Sequence, residues 1–301
     1  MALSDIHRGY RHHVRFSQST ESTYGVKPDG TSWVDLPILD FGLAMTAHHF
    51  EPEDNVSGWQ SPRAVLNRKE VKGDLSCLLY PSFVEELFEW ALDRDSDGNL
   101  HSRTVQHRNP IEQRQFAGAM VDTMTIKGEE KGEVSVQLGL IAKTAEDTTD
   151  FSADPTYITD VALKFQDAVI ELPDGTELTT AEDFEIKVNN NLQIGPTYGA
   201  NQLIAFCRSA RQEVTGSVSL PFDADTYVDL MRAGTTSSLE IVLTHPTQNT
   251  DGVVTIAIAK LHLTSVPIKR SVAKTVVQQI NFKAELPDSG EQMAIAVTDK
   301  A

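Results

Sequence analysis

The sequence predicts a mainly β chain made of two tandem β-barrel or sandwich modules, each with one short α-helix. Three observations lead to that class. The first is an internal repeat: Arg68-Lys-Glu-Val-Lys-Gly-Asp-Leu-Ser76 returns as Arg211-Gln-Glu-Val-Thr-Gly-Ser-Val-Ser219, with five of nine positions identical at an offset of 143. At the same offset Asp40-Phe41-Gly-Leu43-Ala-Met45 returns as Asp183-Phe184-Glu-Ile186-Lys-Val188, and Ile126-Lys127 matches Ile268-Lys269 at 142. A near-constant offset over this length points to one fold given twice; two copies are too few for a solenoid, which needs about three or more. The second observation is period-two alternation in the repeated segments, the mark of strands with one buried and one wet face. The third is one short helical stripe per copy at the same place in the order.

Element by element, residues 1–36 read as an extended arm with turn chemistry at Lys27-Pro28-Asp29-Gly30-Thr31. The first module is expected over 37–147. It opens with a strand whose apolar residues alternate, Phe41, Leu43 and Met45, followed by a polar loop over 46–66. In the repeated strand Val71, Leu75, Cys77 and Leu79 point one way and Lys72, Asp74 and Ser76 the other. A helix follows, with a capping-box pattern at Ser82 and Glu85 and an apolar stripe of Val84, Leu87, Phe88 and Ala91. After a loop over 93–115 come two terminal strands, 116–127 and 133–142.

The second module is expected over 148–290, beginning with a linker and an added hairpin, and a short tail occupies 291–301. The elements recur: a strand at Phe184, Ile186 and Val188, a loop over 189–205, and a strand alternating Val214, Val218 and Leu220 with Thr215, Ser217 and Ser219. A helix capped by Asp225 carries Tyr227, Leu230 and Met231 and stops at Gly234. A loop over 235–251 precedes terminal strands at 253–266 and 275–285.

Composition narrows the function. The net charge of −17 argues against nonspecific nucleic-acid binding, which needs Lys and Arg to displace phosphate counterions. Residues 7–15 run against the trend, with three arginines, three histidines and no acid, so self-association through Arg8, Arg11 and Arg15 is expected. No run approaches the ~18 apolar residues of a membrane span, and the N-terminal stretch lacks a signal-type apolar region; the expectation is a chain made in the cytoplasm with no membrane contact. Cys77 and Cys207 do not occupy equivalent repeat positions and are expected to be reduced and buried.

No catalytic constellation is present: the sequence lacks a nucleophile elbow, a Walker loop, a dinucleotide glycine motif and a His-Glu-x-x-His pair. No enzyme activity and no cofactor are expected. The nearest approach to a metal site is Asp93-Arg-Asp95-Ser-Asp97-Gly98-Asn99, which matches the start of a calcium loop, but position 12 is Thr104 rather than a bidentate Glu. An Asp/Gly-rich turn at the helix exit is the plainer reading. Arg68 with Glu70, and Arg211 with Glu213, form i, i+2 pairs on a strand, either bridging subunits or pairing locally for about 0–1 kcal/mol. Gly73 and Gly216 mark a bulge or a close backbone approach.

The arm with Glu21-Ser-Thr-Tyr24-Gly25, the Asp-Phe-x-Leu strand, and the Glu-Val-x-Gly strand with its helix resemble bacteriophage tail tube (major tail) proteins of long-tailed phages, of the two-module type, related in fold to type VI secretion tube proteins. The resemblance covers nearly the whole chain. It implies a structural virion protein, made in the host cytoplasm, whose modules close into rings of six that stack into a channel for DNA ejection. With two modules per chain it implies homo-trimeric, pseudo-hexameric rings, in contact with tape measure, tail terminator and baseplate or distal tail proteins. Double-stranded DNA would pass without specific binding: three chains bring three times 17, or 51, net negative charges. Lumen candidates are the wet strand positions Asp74, Ser76, Glu133, Ser135, Gln137, Ser217, Ser219, Gln279 and Asn281. Ring stacking would fall to Arg8, Arg11 and Arg15 and to the loops 46–66 and 94–115. The competing reading is a carbohydrate- or protein-binding β-sandwich of a tail or baseplate part, but Trp33, Trp59 and Trp90 are dispersed rather than clustered.

Overall fold

The computed structural model describes residues 12–50, 65–151, 161–172, 175–196, 204–208, 210–244, 253–269, 276–287 and 293–298. The first half runs β1 (His13–Ser17), β2 (Trp33–Leu36), β3 (Ile38–Phe41), β4 (Ala44–Phe50), β5 (Val65–Leu78), α1 (Pro81–Leu92), β6 (Arg103–Arg108), β7 (Gln113–Glu129), β8 (Ser135–Ala142) and β9 (Glu146–Asp147). After a 3-10 turn at Phe165–Asp167 come β10 (Ala168–Glu171), β11 (Asp183–Asn189), β12 (Gln193–Pro196), β13 (Ile204–Arg208), β14 (Glu213–Pro221), α2 (Thr226–Ala233), β15 (Ser237–Leu243), β16 (Val253–Ser265), β17 (Ile268–Lys269), β18 (Val277–Ala284) and β19 (Ala294–Thr298). The chain is mainly β and every ladder is antiparallel.

The pairings follow one scheme in both halves. In the first, β3 and β4 pair with β5, β5 with β8, β8 with β7, β7 with β6 and β6 with β1. In the second the ladder runs β11, β14, β18, β16, β15, β10. Register recurs too. Phe41 faces Leu75 and Phe184 faces Val218, both 143 further on. Leu75 faces Leu138, and Val218 faces Ile280, at 143 and 142. Even the irregularity in β7 between Val121 and Thr123 has a counterpart in β16 between Leu263 and Ser265. One further ladder joins the halves: β11 pairs with β7, Ile186 opposite Ile126. The sheet is therefore continuous through β4, β5, β8, β7, β11, β14, β18 and β17.

Beneath that sheet lies a single apolar cluster that draws on both halves, with Trp90, Phe16, Phe116, Phe184 and Phe282 among its largest members. Each helix packs on the long strand of its own half, α1 on β7 and α2 on β16, and α1 also meets β19. Trp90 donates from Nε1 to the Ala119 carbonyl at 3.1 Å, which satisfies the one polar group of a fully buried ring. Gly234 ends α2 in the left-handed conformation at φ 63°, as expected. The capping box expected at Ser82 and Glu85 does not form. Tyr80 stands at the N-cap and Pro81 opens α1, because proline's fixed φ suits the first helical position. Asp225 is the N-cap of α2 but makes no side-chain cap.

Several stretches expected to be irregular are strands. Part of the arm is β1 and β2, the loop over 93–115 contains β6, the loop over 235–251 contains β15, and the loop over 189–205 contains β12, which pairs with β13. The added hairpin of the second half includes β10, which pairs with β15 as β1 pairs with β6. Gly73 and Gly216 are close approaches: a Cβ on Gly73 would overlap the Gly42 carbonyl, and one on Gly216 would meet the Phe282 ring and the Glu185 oxygen.

Candidate functional site

The outer face of the continuous sheet is the feature that brings the polar sequence candidates together. Because side chains alternate, fixing Val71, Leu75, Val136, Leu138, Phe184, Ile186, Val218 and Ile280 in the core leaves their neighbours on the opposite face. Rows cross the sheet from strand to strand. One runs Ser76, Gln137, Thr125, Lys187, Thr215, Lys283, and the next Ser135, Lys127, Glu185, Ser217, Asn281. Asp183, Ser219 and Gln279 share a third row. Ser219 is buried, the other sequence candidates are exposed or half-buried. Over the second half the face is concave, lined by Glu185, Lys187, Thr215, Ser217, Gln279 and Asn281.

The face also carries lysines that are not among the lumen candidates: Lys72, which the alternation had already placed there, and Lys127, Lys187 and Lys283. Three are held by carboxylates. Lys127 meets Glu129 at 2.6 Å, Lys283 meets Glu213 at 2.9 Å and Lys72 meets Glu70 at 3.1 Å. The hydrogen bond from Lys127 is the main reason its own pKa is raised and that of Glu129 lowered; Lys283 likewise lowers that of Glu213. The face is thus acid-rich and small-polar, with three of its four lysines neutralised locally and no arginine among the rows.

The repeated pairs differ between halves. Arg68 and Glu70 form an ion pair, and Glu70 also faces Lys72 and His48. In the second half Glu213 takes Lys283 from β18 as its partner, while the Arg211 carbonyl accepts from Asn191.

Among the basic residues proposed for stacking, Arg8 and Arg11 lie outside the described residues. Arg15 is buried in β1. Its Nη2 donates to Gln106 Oε1 at 2.7 Å and to the Asp150 carbonyl at 3.1 Å, and the guanidinium lies between Trp33 and Phe151, 4.4 and 4.0 Å from their centroids. Burial lowers its pKa despite the nearby Asp35 and Asp150. Arg15 is therefore committed inside its own half rather than presented to a neighbouring ring. Of the stacking loops, 46–50 is strand β4, 51–64 lies outside the described residues, and 94–115 contains β6.

The Asp93–Asn99 stretch is a self-satisfied turn. Asp95 Oδ1 accepts from the amides of Asp97 and Asn99 at 2.9 and 2.8 Å, which lowers the Asp95 pKa, and Asp93 meets His101 at 3.4 Å. No three His, Cys, Asp or Glu side chains converge among the described residues. Cys77 and Cys207 are buried free thiols, each pushed up to about 12 by burial.

Two polar clusters escaped the sequence reading. Glu21 accepts from the Gly118 and Gly25 amides, both at 2.8 Å, from Thr104 at 2.7 Å and from Ser102 at 2.9 Å, pinning the arm to β6 and β7. Asn190, fully buried after β11, donates to the Ala91 and Val121 carbonyls at 2.9 Å each and accepts from Gln212 and Arg94, so it ties the join between halves to the end of α1. Glu21 stood in the sequence as a lone acid beside a turn, and Asn190 as one of three asparagines; neither carries a periodic signal.

A family profile described as "Phage tail tube protein" matches residues 14–284. A solved structure with some likeness is the cryo-EM structure of the anti-feeding prophage cap, a tube terminating cap. It has 12% sequence identity and a TM-score of 0.35, and the match covers 50% of this chain and 100% of that one. No curated protein matches the sequence.

Proposed function

The chain belongs to the phage tail tube protein family, and on that footing we propose that three copies close into a pseudo-hexameric ring, each supplying two modules, and that rings stack into the channel for DNA ejection. Family membership makes it a structural component of the virion tail that assembles with itself and with other tail components. The observation that carries the trimeric reading is the recurrence of the strand scheme and register at offsets of 143 and 142, which fits one fold duplicated in tandem. Two like units in one chain, joined by a strand pair, suit a closed ring with internal pseudo-symmetry.

The polar face is the proposed lumen wall. Its excess of carboxylate repels phosphate, its Ser, Thr, Gln and Asn side chains carry no charge, and three of its four lysines are held by Glu129, Glu213 and Glu70. A wall of that kind leaves a translocating duplex without a foothold, and no catalytic step is involved. Tape measure, terminator and baseplate or distal tail proteins are the proposed partners at the ends of the tube, with assembly in the host cytoplasm. Among the described residues no helix is long and apolar enough to cross a membrane.

Cryo-electron microscopy of the purified, concentrated protein tests the reading. Rings or tubes with six densities per layer from three chains support it. Six chains per layer, with one module on the outside, would keep the tube and remove the trimer.

A further inference from the structure

We propose that Asp29-Gly30, in the loop between β1 and β2, is a site of spontaneous covalent modification. The Asp29 carboxyl closes on the Gly30 nitrogen and reopens as isoaspartate, while the like turn at Asp97-Gly98 is held against the same reaction by its hydrogen bonds. The proposal does not depend on the ring reading.

The chemistry balances without any reagent but water. The Gly30 nitrogen attacks Asp29 Cγ. The N–Cγ bond forms, and the hydroxyl of the carboxyl group leaves with the amide proton as water, giving a cyclic imide. Water then adds to one of the two ring carbonyls. Breaking the new N–Cγ bond restores aspartate, whereas breaking the original bond from the Asp29 main-chain carbonyl carbon leaves the chain running through Cγ. One water leaves and one returns, and nothing is oxidised or reduced. The reaction needs an exposed carboxyl, a following residue without a Cβ to crowd the ring, and a nitrogen free of other engagements.

The sequence holds Asp-Gly at 29–30, 97–98, 174–175 and 251–252; Asp174 and the pair at 251–252 lie outside the described residues. The first two pairs form a controlled comparison. In both, aspartate and glycine are exposed. Both glycines are left-handed, with φ 65° and 80°, and nothing stands within 4 Å of where a Cβ would be. They differ in what holds them. The Gly98 amide donates to the Asp95 carbonyl at 2.9 Å, and the Gly98 carbonyl accepts from Arg94 Nη1 at 2.8 Å. Asp95 Oδ1 takes the amides on either side, those of Asp97 and Asn99. Attack at Asp97 has to break the first of these bonds and turn a peptide pinned at both ends. Among the described residues, the Gly30 amide has no acceptor and the Asp29 carboxylate no donor.

The product matters because of where the extra carbon falls. Isoaspartate lengthens the main chain between two anchors of the loop. Before the turn, Lys27 pairs with Asp150. After it, the Ser32 carbonyl accepts from the Gln18 amide at 2.9 Å, and Thr31 Oγ1 accepts from the Ser19 amide at 3.3 Å. A chain one atom longer displaces one anchor or the other. The loop therefore loosens from the first half as the product accumulates with time, and exposed loop tips of this kind are where proteases cut first.

The test ages the full chain in warm, mildly acidic buffer, folded and in urea, and reads each Asp-Gly pair in peptides by mass spectrometry with fragmentation that separates isoaspartate from aspartate. In the folded chain isoaspartate should form at residue 29 at least tenfold faster than at residue 97. In urea, where neither turn survives, the two rates should converge. Asp29→Glu, whose longer side chain has to close a six-membered ring, should abolish the product at 29 and leave 97 unchanged. Limited proteolysis of aged protein should cut between 18 and 31 sooner than in fresh protein, and Asp29→Glu should show no such change. No isoaspartate at 29, or equal rates at 29 and 97 in the folded chain, overturns the proposal. The same preference for 29 in urea overturns it too, since the difference would then lie in the sequence and not in the hydrogen bonds. Isoaspartate at 29 with unchanged cutting overturns the loosening of the loop.

Discussion

β1 and β10 hold the same place in their halves, Val14 opposite His107 in one and Ile170 opposite Ile241 in the other. One residue along, Arg15 faces Gln106 and Glu171 faces Glu240. The core side of each strand is apolar and buried, with Val14 and Phe16 matched by Ile170 and Leu172. The outer side differs. In the first half Trp33 and Phe151 cover it, and Arg15 and Gln106 are buried and must satisfy one another, while His107, on the core side opposite Val14, lies against Phe41 and His12. In the second half the outer side is wet, and two carboxylates sit opposite each other because water screens them. One pairing scheme thus tolerates opposite chemistry, depending on whether a cover is present. The first half gains specificity from its polar contacts and becomes vulnerable wherever one is removed.

The largest effect should come from the close approaches. Gly73→Ala drives a Cβ into the Gly42 carbonyl and the Leu43 backbone, atoms with no rotamer to yield, whereas Gly216→Ala meets the ring of Phe282 and one backbone atom, the Glu185 oxygen. We expect Gly73→Ala to cost about 3–4 kcal/mol in urea unfolding and Gly216→Ala about 1–3 kcal/mol, on the scale of overpacking. Equal costs would mean that the β3–β4 edge yields as readily as the Phe282 ring and the β11 backbone together. Next comes the covered strand. Arg15→Ala strands the Gln106 and Asp150 oxygens and uncovers two rings, for about 2–3 kcal/mol. Glu171→Ala, at the matching place in β10, should stay within about 0.5 kcal/mol. A large loss at Glu171 would break the contrast between covered and wet faces.

That contrast also explains what could be read from the sequence. Apolar alternation and the constant offset made β5, β11, β14 and the terminal strands legible, because the core sets their period. The wet face was legible for the same reason: Ser76, Gln137, Ser217 and Asn281 follow from the buried residues beside them. β6 was not, since Arg103, Thr104, Gln106 and His107 look like a loop until Phe16 is known to lie on Arg103, Glu21 on Thr104, Arg15 on Gln106 and Phe41 on His107. β15 carried a visible signal in Leu239, Ile241 and Leu243, missed because the run follows a helix closely and was assigned to its loop. The lysines of the polar face were passed over because a search for short residues skips them, yet Lys127 and Lys269 share a repeat position.

Glu21 offers a smaller test on the same half. Its carboxylate is the acceptor for two amides and two hydroxyls that join the arm to β6 and β7. Glu21→Ala should cost about 2 kcal/mol, since donors left partly buried lose a charged acceptor. Protease digestion should then cut between 18 and 31 before the β10 region. Simultaneous cutting of both regions would show that the arm is not a separately held unit.

The smallest effect, and the one that most sharply separates β1 from β10, depends on pH. His107 is buried against the Phe41 ring at 5.0 Å, with its Nε2 3.3 Å from His12 Nδ1, and Glu112, Arg114 and His13 are the other charged or titratable neighbours. Burial, reinforced by His12, pushes its pKa down from 6.5 to about 4. The folded state therefore resists a proton that the unfolded chain accepts below pH 6.5, and stability falls as pH drops from 6.5 towards 4. At pH 5 the loss should be about 1–2 kcal/mol relative to pH 7.5. His107→Gln keeps a neutral polar group and should flatten that slope, while paired carboxylates such as Glu213 and Glu285 lose their contribution only at lower pH because their pKa values are depressed. Ile241, opposite β10, has nothing to titrate. Urea midpoints of both proteins at pH 7.5 and 5 decide it: parallel losses would place the acid sensitivity elsewhere than β1.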